Sequence, residues 1–329
     1  GTGGDAGASQ PTTITNTGNS NLQPDLLWGK DRETTYGHYL CDSTRGRSKY
    51  LFPDVVNAEV TTGSTSYDLV SFDSDGFKVG APSEANSTNG GTTNKVVWQW
   101  KANAGTTSSF TESGDNPGGT IQTNATAGFS IISYTGTGAP GNIAHGLSSA
   151  PELVIFKNRG TTNVWATYHV SLGDDYKLEF NSGAAKDSDG SFMNSTIPDA
   201  TNIRVGDSNN PNTNADSGTY MCYAWSPIQG YSKFASYVGN GVANGPFVHT
   251  GFKPACIILK KINSTGNWRI FDNKRAGYND DNYRLTPNEN SAESTATHLD
   301  ILSNGFKLRN TGSSYNGSGD TFIYMAWAE

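Results

Sequence analysis

Charge is scarce in this chain. Only 16% of its 329 residues are Asp, Glu, Lys or Arg, where about 25% is usual. Gly, Ser, Thr and Asn must carry the solvation instead, and such a composition disfavours coiled coils and helical bundles. No run approaches the ~20 consecutive apolar residues that a membrane-crossing helix needs, so membrane insertion is not expected. The opening GTGGDAGASQ lacks the basic and apolar parts of a signal peptide, and a first residue of Gly rather than Met reads as a processed product or a fragment. The three cysteines, Cys41, Cys222 and Cys256, are odd in number and far apart, without a Cys-x-x-Cys pair; they read as buried thiols, neither a disulfide framework nor a zinc knuckle. Lys and Arg number 23 against 30 Asp and Glu, a net charge of −7. With no basic stripe, nucleic acid is not an expected partner.

Aromatic residues, by contrast, are plentiful: seven Trp, 15 Tyr and 14 Phe. They recur with a period. Pro24-Asp-Leu-Leu-Trp-Gly-Lys30, Pro151-Glu-Leu-Val-Ile-Phe-Lys157 and Pro254-Ala-Cys-Ile-Ile-Leu-Lys260 share one pattern, and a second β-rich segment starts 14 residues after each proline, at His38, Trp165 and Trp268. Each copy closes on an alternating aromatic strand ending in Trp100, Trp225 or Trp327, which lie 76, 74 and 73 residues after the prolines. A third strand recurs as Ser71–Val79 and Leu302–Leu308, reduced to Ile203–Gly206 in the middle copy. The last two copies also share a leading strand, at Phe129–Gly138 and Phe234–Gly241, that the first copy lacks.

Short runs rich in β-branched and aromatic residues, bounded by Gly, Asn and Asp, predict antiparallel strands with one buried face. The expectation is an all-β chain of three tandem antiparallel β-sandwich repeats. Its divisions are a polar N-terminal segment (1–21), repeat 1 (22–102), a Gly/Ser/Thr/Asn-rich linker (103–127), repeat 2 (128–229) and repeat 3 (230–329). A short helix is expected within 47–62. The sheet left incomplete in repeat 1 is a candidate docking point, because an unpaired edge invites another strand. A closed pseudo-threefold unit and a row of beads are both compatible with the repeat.

Chemistry-bearing motifs are sparse. The five histidines are never closer than 24 residues, so local zinc spacing is absent; His145 and His249, at nearly matching places, read as sharing a structural hydrogen bond. Gly206-Asp207-Ser208 matches an esterase nucleophile turn only in three common letters. Asp73-Ser-Asp75-Gly76 and Asp187-Ser-Asp189-Gly190 resemble half of a calcium loop, yet Asp-Gly is also ordinary hairpin chemistry. No catalytic residue, metal or cofactor is expected. Arg32, Arg45, Arg47 and Lys49 read as a solvated loop. Trp100, Trp225 and Trp327 read as core, and the best glycan-contact candidates are the loop residues Tyr278, Asn279, Asp280 and Asp281.

The phrases Gly128-Phe-Ser-Ile-Ile-Ser-Tyr134, His145-Gly-Leu-x-x-Ala-Pro151-Glu-Leu-Val-Ile-x-Lys157, Phe72-Asp-Ser-Asp-Gly-Phe77 and Leu302-Ser-Asn-Gly-Phe306 resemble modular repeats of tail-fibre-like or other appendage proteins from marine tailed bacteriophages. The resemblance runs from Leu22 to Glu329, the linker excepted. It implies a non-catalytic structural or host-adsorption protein on the virion surface, partnered by other virion proteins and by a host glycan or envelope receptor. A homo-oligomer, with a trimer favoured, would supply multivalency. The alternatives are a capsid or tail decoration protein that touches only virion proteins, and a polysaccharide-degrading tailspike enzyme with two carboxyl groups about 5 to 10 Å apart.

Overall fold

The computed structural model describes residues 11–18, 21–62, 68–80, 89–90, 93–275, 279 and 282–329. Among them the chain is all-β: 27 strands in several antiparallel sheets, with 3-10 turns at Val170–Leu172 and Gly190–Met193 and no α-helix.

Three of the sheets are built alike around the proline-led strands. Leu26–Asp31 pairs with Tyr39–Asp42 on one side and Lys95–Trp100 on the other. Leu153–Asn158 lies in the same way between Ala166–His169 and Thr219–Trp225, and Cys256–Lys261 between Arg269–Asp272 and Thr321–Trp327. All three central strands are buried along their whole length, so alternation sorts their side chains between two interiors rather than between core and solvent.

One interior is common to the three sheets. Leu26, Trp28, Trp98 and Trp100 meet Ile131, Leu153, Tyr223 and Trp225, together with Ile258, Ile323, Met325 and Trp327, in a single cluster. At its centre the three strand-ending indoles touch edge to face, with ring centroids 6.0 Å (Trp100 to Trp225), 5.6 Å (Trp100 to Trp327) and 6.0 Å (Trp225 to Trp327) apart. Such T-shaped contacts favour aromatic pairs beyond their buried area. The opposite faces feed three separate clusters, around Leu27 and Cys41, Val154 and Cys222, and Ile257 and Tyr324.

Each outer cluster is capped by a small sheet. Thr12–Thr15 pairs with Gly76–Val79, which pairs with Leu69–Asp73. Gly141–Ala144 pairs with Asn202–Val205, and Gly305–Leu308 lies between Phe247–His249 and Leu299–Leu302. Gly76 and Gly305 are required here: a Cβ would sit 2.0 Å from the Ile14 carbonyl oxygen and 2.1 Å from that of Val248. In the middle copy the eroded hairpin is replaced by the Gly190–Met193 turn, whose Phe192 and Met193 fill the outer cluster.

Several expectations need correction. Residues 47–62 hold no helix: Lys49–Tyr50 pairs with Val60–Thr61, and Leu51 exchanges backbone bonds with Leu40, because Pro53 and the partner strand favour extended backbone over a turn of helix. The polar 103–127 segment carries strands Ser108–Phe110 and Gly119–Asn124, the second of which pairs with Phe129–Thr135; Ile121 packs on the outer cluster there. Within 1–21, Thr12–Thr15 is a strand, while residues 1–10 lie outside the described residues.

Candidate functional site

The conspicuous polar groups lie at the seams between copies. His38, Trp165 and Trp268 begin equivalent strands, and each ring nitrogen reaches into a neighbouring copy. Trp165 Nε1 donates to the carbonyls of Phe52 and Val55 at 3.1 Å, and Trp268 Nε1 donates to that of Glu179 at 3.0 Å. His38 Nε2 lies 3.1 Å from the Thr286 carbonyl, while its Nδ1 accepts from Trp28 Nε1. Burial holds His38 down at about 3. A neutral imidazole with both nitrogens engaged has no spare position for a metal or a transferable proton.

Charged triads reinforce two of the seams. Glu59 bridges Arg45 at 3.1 Å and Arg159 at 2.8 Å; Glu293 bridges Arg275 at 2.6 Å and Arg32 at 2.6 Å. Burial pushes the Glu59 carboxyl up, but Arg159 and Arg45 outweigh it and hold it at about 2. Arg45 and Arg275 also pair with Asp42 and Asp272 three residues earlier. The expected solvated loop is thus corrected at Arg45, whose side chain has no exposure, and at Arg32, which is four-fifths buried. The third seam uses another solution: the backbone bond from Lys186 N to Ile262 O matches those from Glu59 to Arg159 and Glu293 to Arg32, but Leu172, Lys186 and Ile262 stand where the triads stand.

Lys30, Lys157 and Lys260 are fully buried. Their ammonium groups donate to carbonyls: Lys30 to Asp31 and Thr34, Lys157 to Val56 and Asn163, Lys260 to Ala184 and Lys261. Burial lowers them to about 8, 8 and 7.

The sequence motifs resolve into structure. Asp187 and Asp189 both grip Lys177 Nζ, at 3.0 and 2.5 Å, so an ammonium sits where a calcium ion would. Asp73 accepts from Ser71 Oγ and Asp75 from Leu22 N around a hairpin turn. Asp207 accepts from Asn209 N within a local turn, and Ser208 N donates across the copy to Gly138 O. His145 is buried between Leu147 N and Asp199 O, whereas His249 is exposed, so the expected common bond exists only in the middle copy. All three cysteines are buried free thiols. Of the glycan-contact candidates, Tyr278, Asp280 and Asp281 lie outside the described residues. Asn279 has φ +87° and its Oδ1 accepts from Ile301 N at 2.5 Å, which engages its side chain with strand Leu299–Leu302.

A recess that the repeat pattern did not reveal lies in the first copy. About 440 Å³ in volume, it is lined by Thr35, Tyr36, Gly37, Tyr39, Tyr50, Phe52, Thr62 and Asp68, within the range of small-molecule sites. Tyr50 is fixed by accepting from Leu69 N at 2.8 Å. Asp54 closes in behind Gly37, where a Cβ would lie 2.8 Å from its Oδ2, and burial pushes its carboxyl up to about 6. Only the clustering of Tyr36, Tyr39 and Tyr50, absent at matching places in the other copies, could have flagged it in sequence.

The edge of the first sheet also differs. Thr219–Trp225 and Thr321–Trp327 are flanked on their far sides by Phe129–Thr135 and Ser232–Val238. Lys95–Trp100 has, among the described residues, no strand on that side.

A domain-of-unknown-function family, DUF7483, matches residues 4–329, and the chain belongs to that family. No curated protein and no solved structure matches it.

Proposed function

We propose that this chain is a non-catalytic structural and host-adsorption protein of a bacteriophage virion, built as three tandem β-sandwich repeats that face one tryptophan-filled centre. The observation that carries the reading is the edge-to-face contact of Trp100, Trp225 and Trp327, which makes the three copies one block. A rigid block with uncharged polar loops suits repeated weak contacts, each becoming intramolecular once the first has formed. The Tyr36 recess offers ring faces, hydroxyls and the Asp68 carboxylate, the chemistry that holds a sugar ring. The partners are then a host glycan or envelope receptor and other virion proteins, the place is the virion surface, and a homo-oligomer, a trimer first, supplies copies. The test is binding of the purified chain to host envelopes, with its mass measured in solution. Saturable binding that Tyr36→Ala and Asp68→Ala weaken supports the reading; a monomer without affinity for envelopes overturns it.

A second reading, a decoration protein that contacts only virion proteins, draws on the far edge of residues 96–100, which no strand among the described residues flanks, since such an edge can accept another strand by strand addition. Cross-links from a neighbouring virion protein to residues 95–100 on intact particles would favour it.

A further inference from the structure

Equivalent positions in the middle and last copies carry opposite electrostatic solutions. Lys177 pairs across its hairpin with Asp187, and Arg284 pairs across the matching hairpin with Ser294. Counting on from there, Asp189 corresponds to Ala296. The middle copy therefore sets two carboxylates on its cation, 3.0 and 2.5 Å from Lys177 Nζ, and the last copy has a hydroxyl and a methyl group in their places. It also adds a second cation: Arg269 stands where the middle copy has Ala166, directly after the equivalent Trp268 and Trp165.

The groups left behind are donors. Arg284 and Arg269 flank the Tyr315 ring, their guanidinium carbons 6.0 and 5.9 Å from its centroid. Arg284 Nη1 donates to the Tyr315 hydroxyl, which leaves the phenol proton free to be donated. Arg269 Nη1 donates to Thr286 Oγ1 at 2.6 Å. The Nε atoms of both arginines are buried without a hydrogen-bond partner, as are both ring nitrogens of His298, whose ring packs 4.7 Å from that of Tyr315. Neither arginine forms an ion pair among the described residues, and Glu289, whose field reaches Arg269, accepts from Asn267 Nδ2 instead. Buried donors without acceptors are costly, and a guanidinium fork matches an oxyanion.

We propose that the last copy holds an exogenous carboxylate between Arg284, Arg269 and Tyr315, where the middle copy supplies its own from Asp187 and Asp189. The place is reachable: Arg269, Arg284 and Ser294, the residue that answers to Asp187, are each half-buried, not buried. An acid carried on a sugar and a free small acid present the same group, and the measurement separates them. The site does not depend on the adsorption reading, and it stands or falls separately from the Tyr36 recess.

The test is a calorimetric titration of the full chain at fixed ionic strength with sodium acetate, sodium glucuronate and, as neutral control, glucose. Saturable binding of glucuronate and not of acetate marks an acidic sugar, and binding of both marks the carboxylate alone; either supports the site, provided glucose gives none. Arg284→Gln should weaken binding by roughly tenfold or more. The triple substitution Arg284→Lys, Ser294→Asp, Ala296→Asp transplants the self-satisfied arrangement and should abolish binding while leaving the melting temperature at or above that of the parent. No saturable binding of either acid, or equal affinity in the triple variant, overturns the proposal.

Discussion

Arg32 and Glu293 are separated by 261 residues, and their Nη2 and Oε1 atoms are 2.6 Å apart. The contact joins the first copy to the last, as Arg159 and Glu59 join the middle copy to the first. Together with Trp100 against Trp327, it brings the two ends of the repeat together instead of leaving three beads on a string.

The triads predict where stability resides. Removing Glu293 takes one of two carboxylates from Arg275, whose side chain is only 3% exposed and which keeps Asp272 at 2.7 Å, so Glu293→Ala should cost about 1.5–3 kcal/mol, read from urea unfolding. Lys186→Ala, at the corresponding place in the seam without an ion-pair triad, loses a contact over the Tyr176 ring at 3.9 Å and should cost about 0.5–1 kcal/mol. Equal costs would mean that Glu293 is not a seam residue of this kind.

Alkaline stability should rise before it falls. Lys30, Lys157 and Lys260 have folded values near 8, 8 and 7, below the ~10.4 of an unfolded lysine. Between those limits the unfolded chain binds more protons, so unfolding free energy increases with pH. Lys260→Met should flatten the rise between about pH 7 and 10, measured by denaturant midpoints across that range.

Acid acts the other way on a different set. Burial lowers His38 to about 3 and His169 to about 4, so their contribution is whole above about pH 6.5 and is lost as pH falls towards 4 and below. Glu59, held at about 2, adds a loss that begins near pH 4.5. Asp54, raised to about 6, opposes them, since the folded state holds its proton more tightly. His38→Gln should reduce the loss of stability between pH 6.5 and 4, followed by circular dichroism.

Cys41, Cys222 and Cys256 are buried, and burial pushes all three thiols up. Native protein should leave a thiol reagent unreacted at pH 8, and denatured protein should consume three equivalents. A fast native equivalent would place one of the cysteines at the surface.

Much of this fold is legible in the sequence because alternating strands write their burial directly. The proline-led runs and the tryptophan-ended strands are β where expected, and Trp100, Trp225 and Trp327 are core. They fill one shared centre, which the repeat pattern alone leaves open: alternation reports that a face is buried and not what buries it. The seams were hidden for a related reason. His38 does in the first copy what an indole does at Trp165 and Trp268, and Leu172, Lys186 and Ile262 replace a triad, so the residues that match in place do not match in letter. The strand Gly119–Asn124 escaped because its polar residues look like a linker until Phe129–Thr135 lies beside it. Arg45 looked solvated because its partners, Asp42 and Glu59, converge on it only after folding.

Hydrogen exchange on Trp327→Ala tests the common centre most directly. Removing that indole leaves a cavity against Trp100 and Trp225, so amide protection should fall together in Leu26–Asp31, Leu153–Asn158 and Cys256–Lys261, with a single unfolding transition displaced by about 3–5 kcal/mol. Protection lost only within residues 230–329, with the other two strands exchanging as in the parent chain, would contradict it.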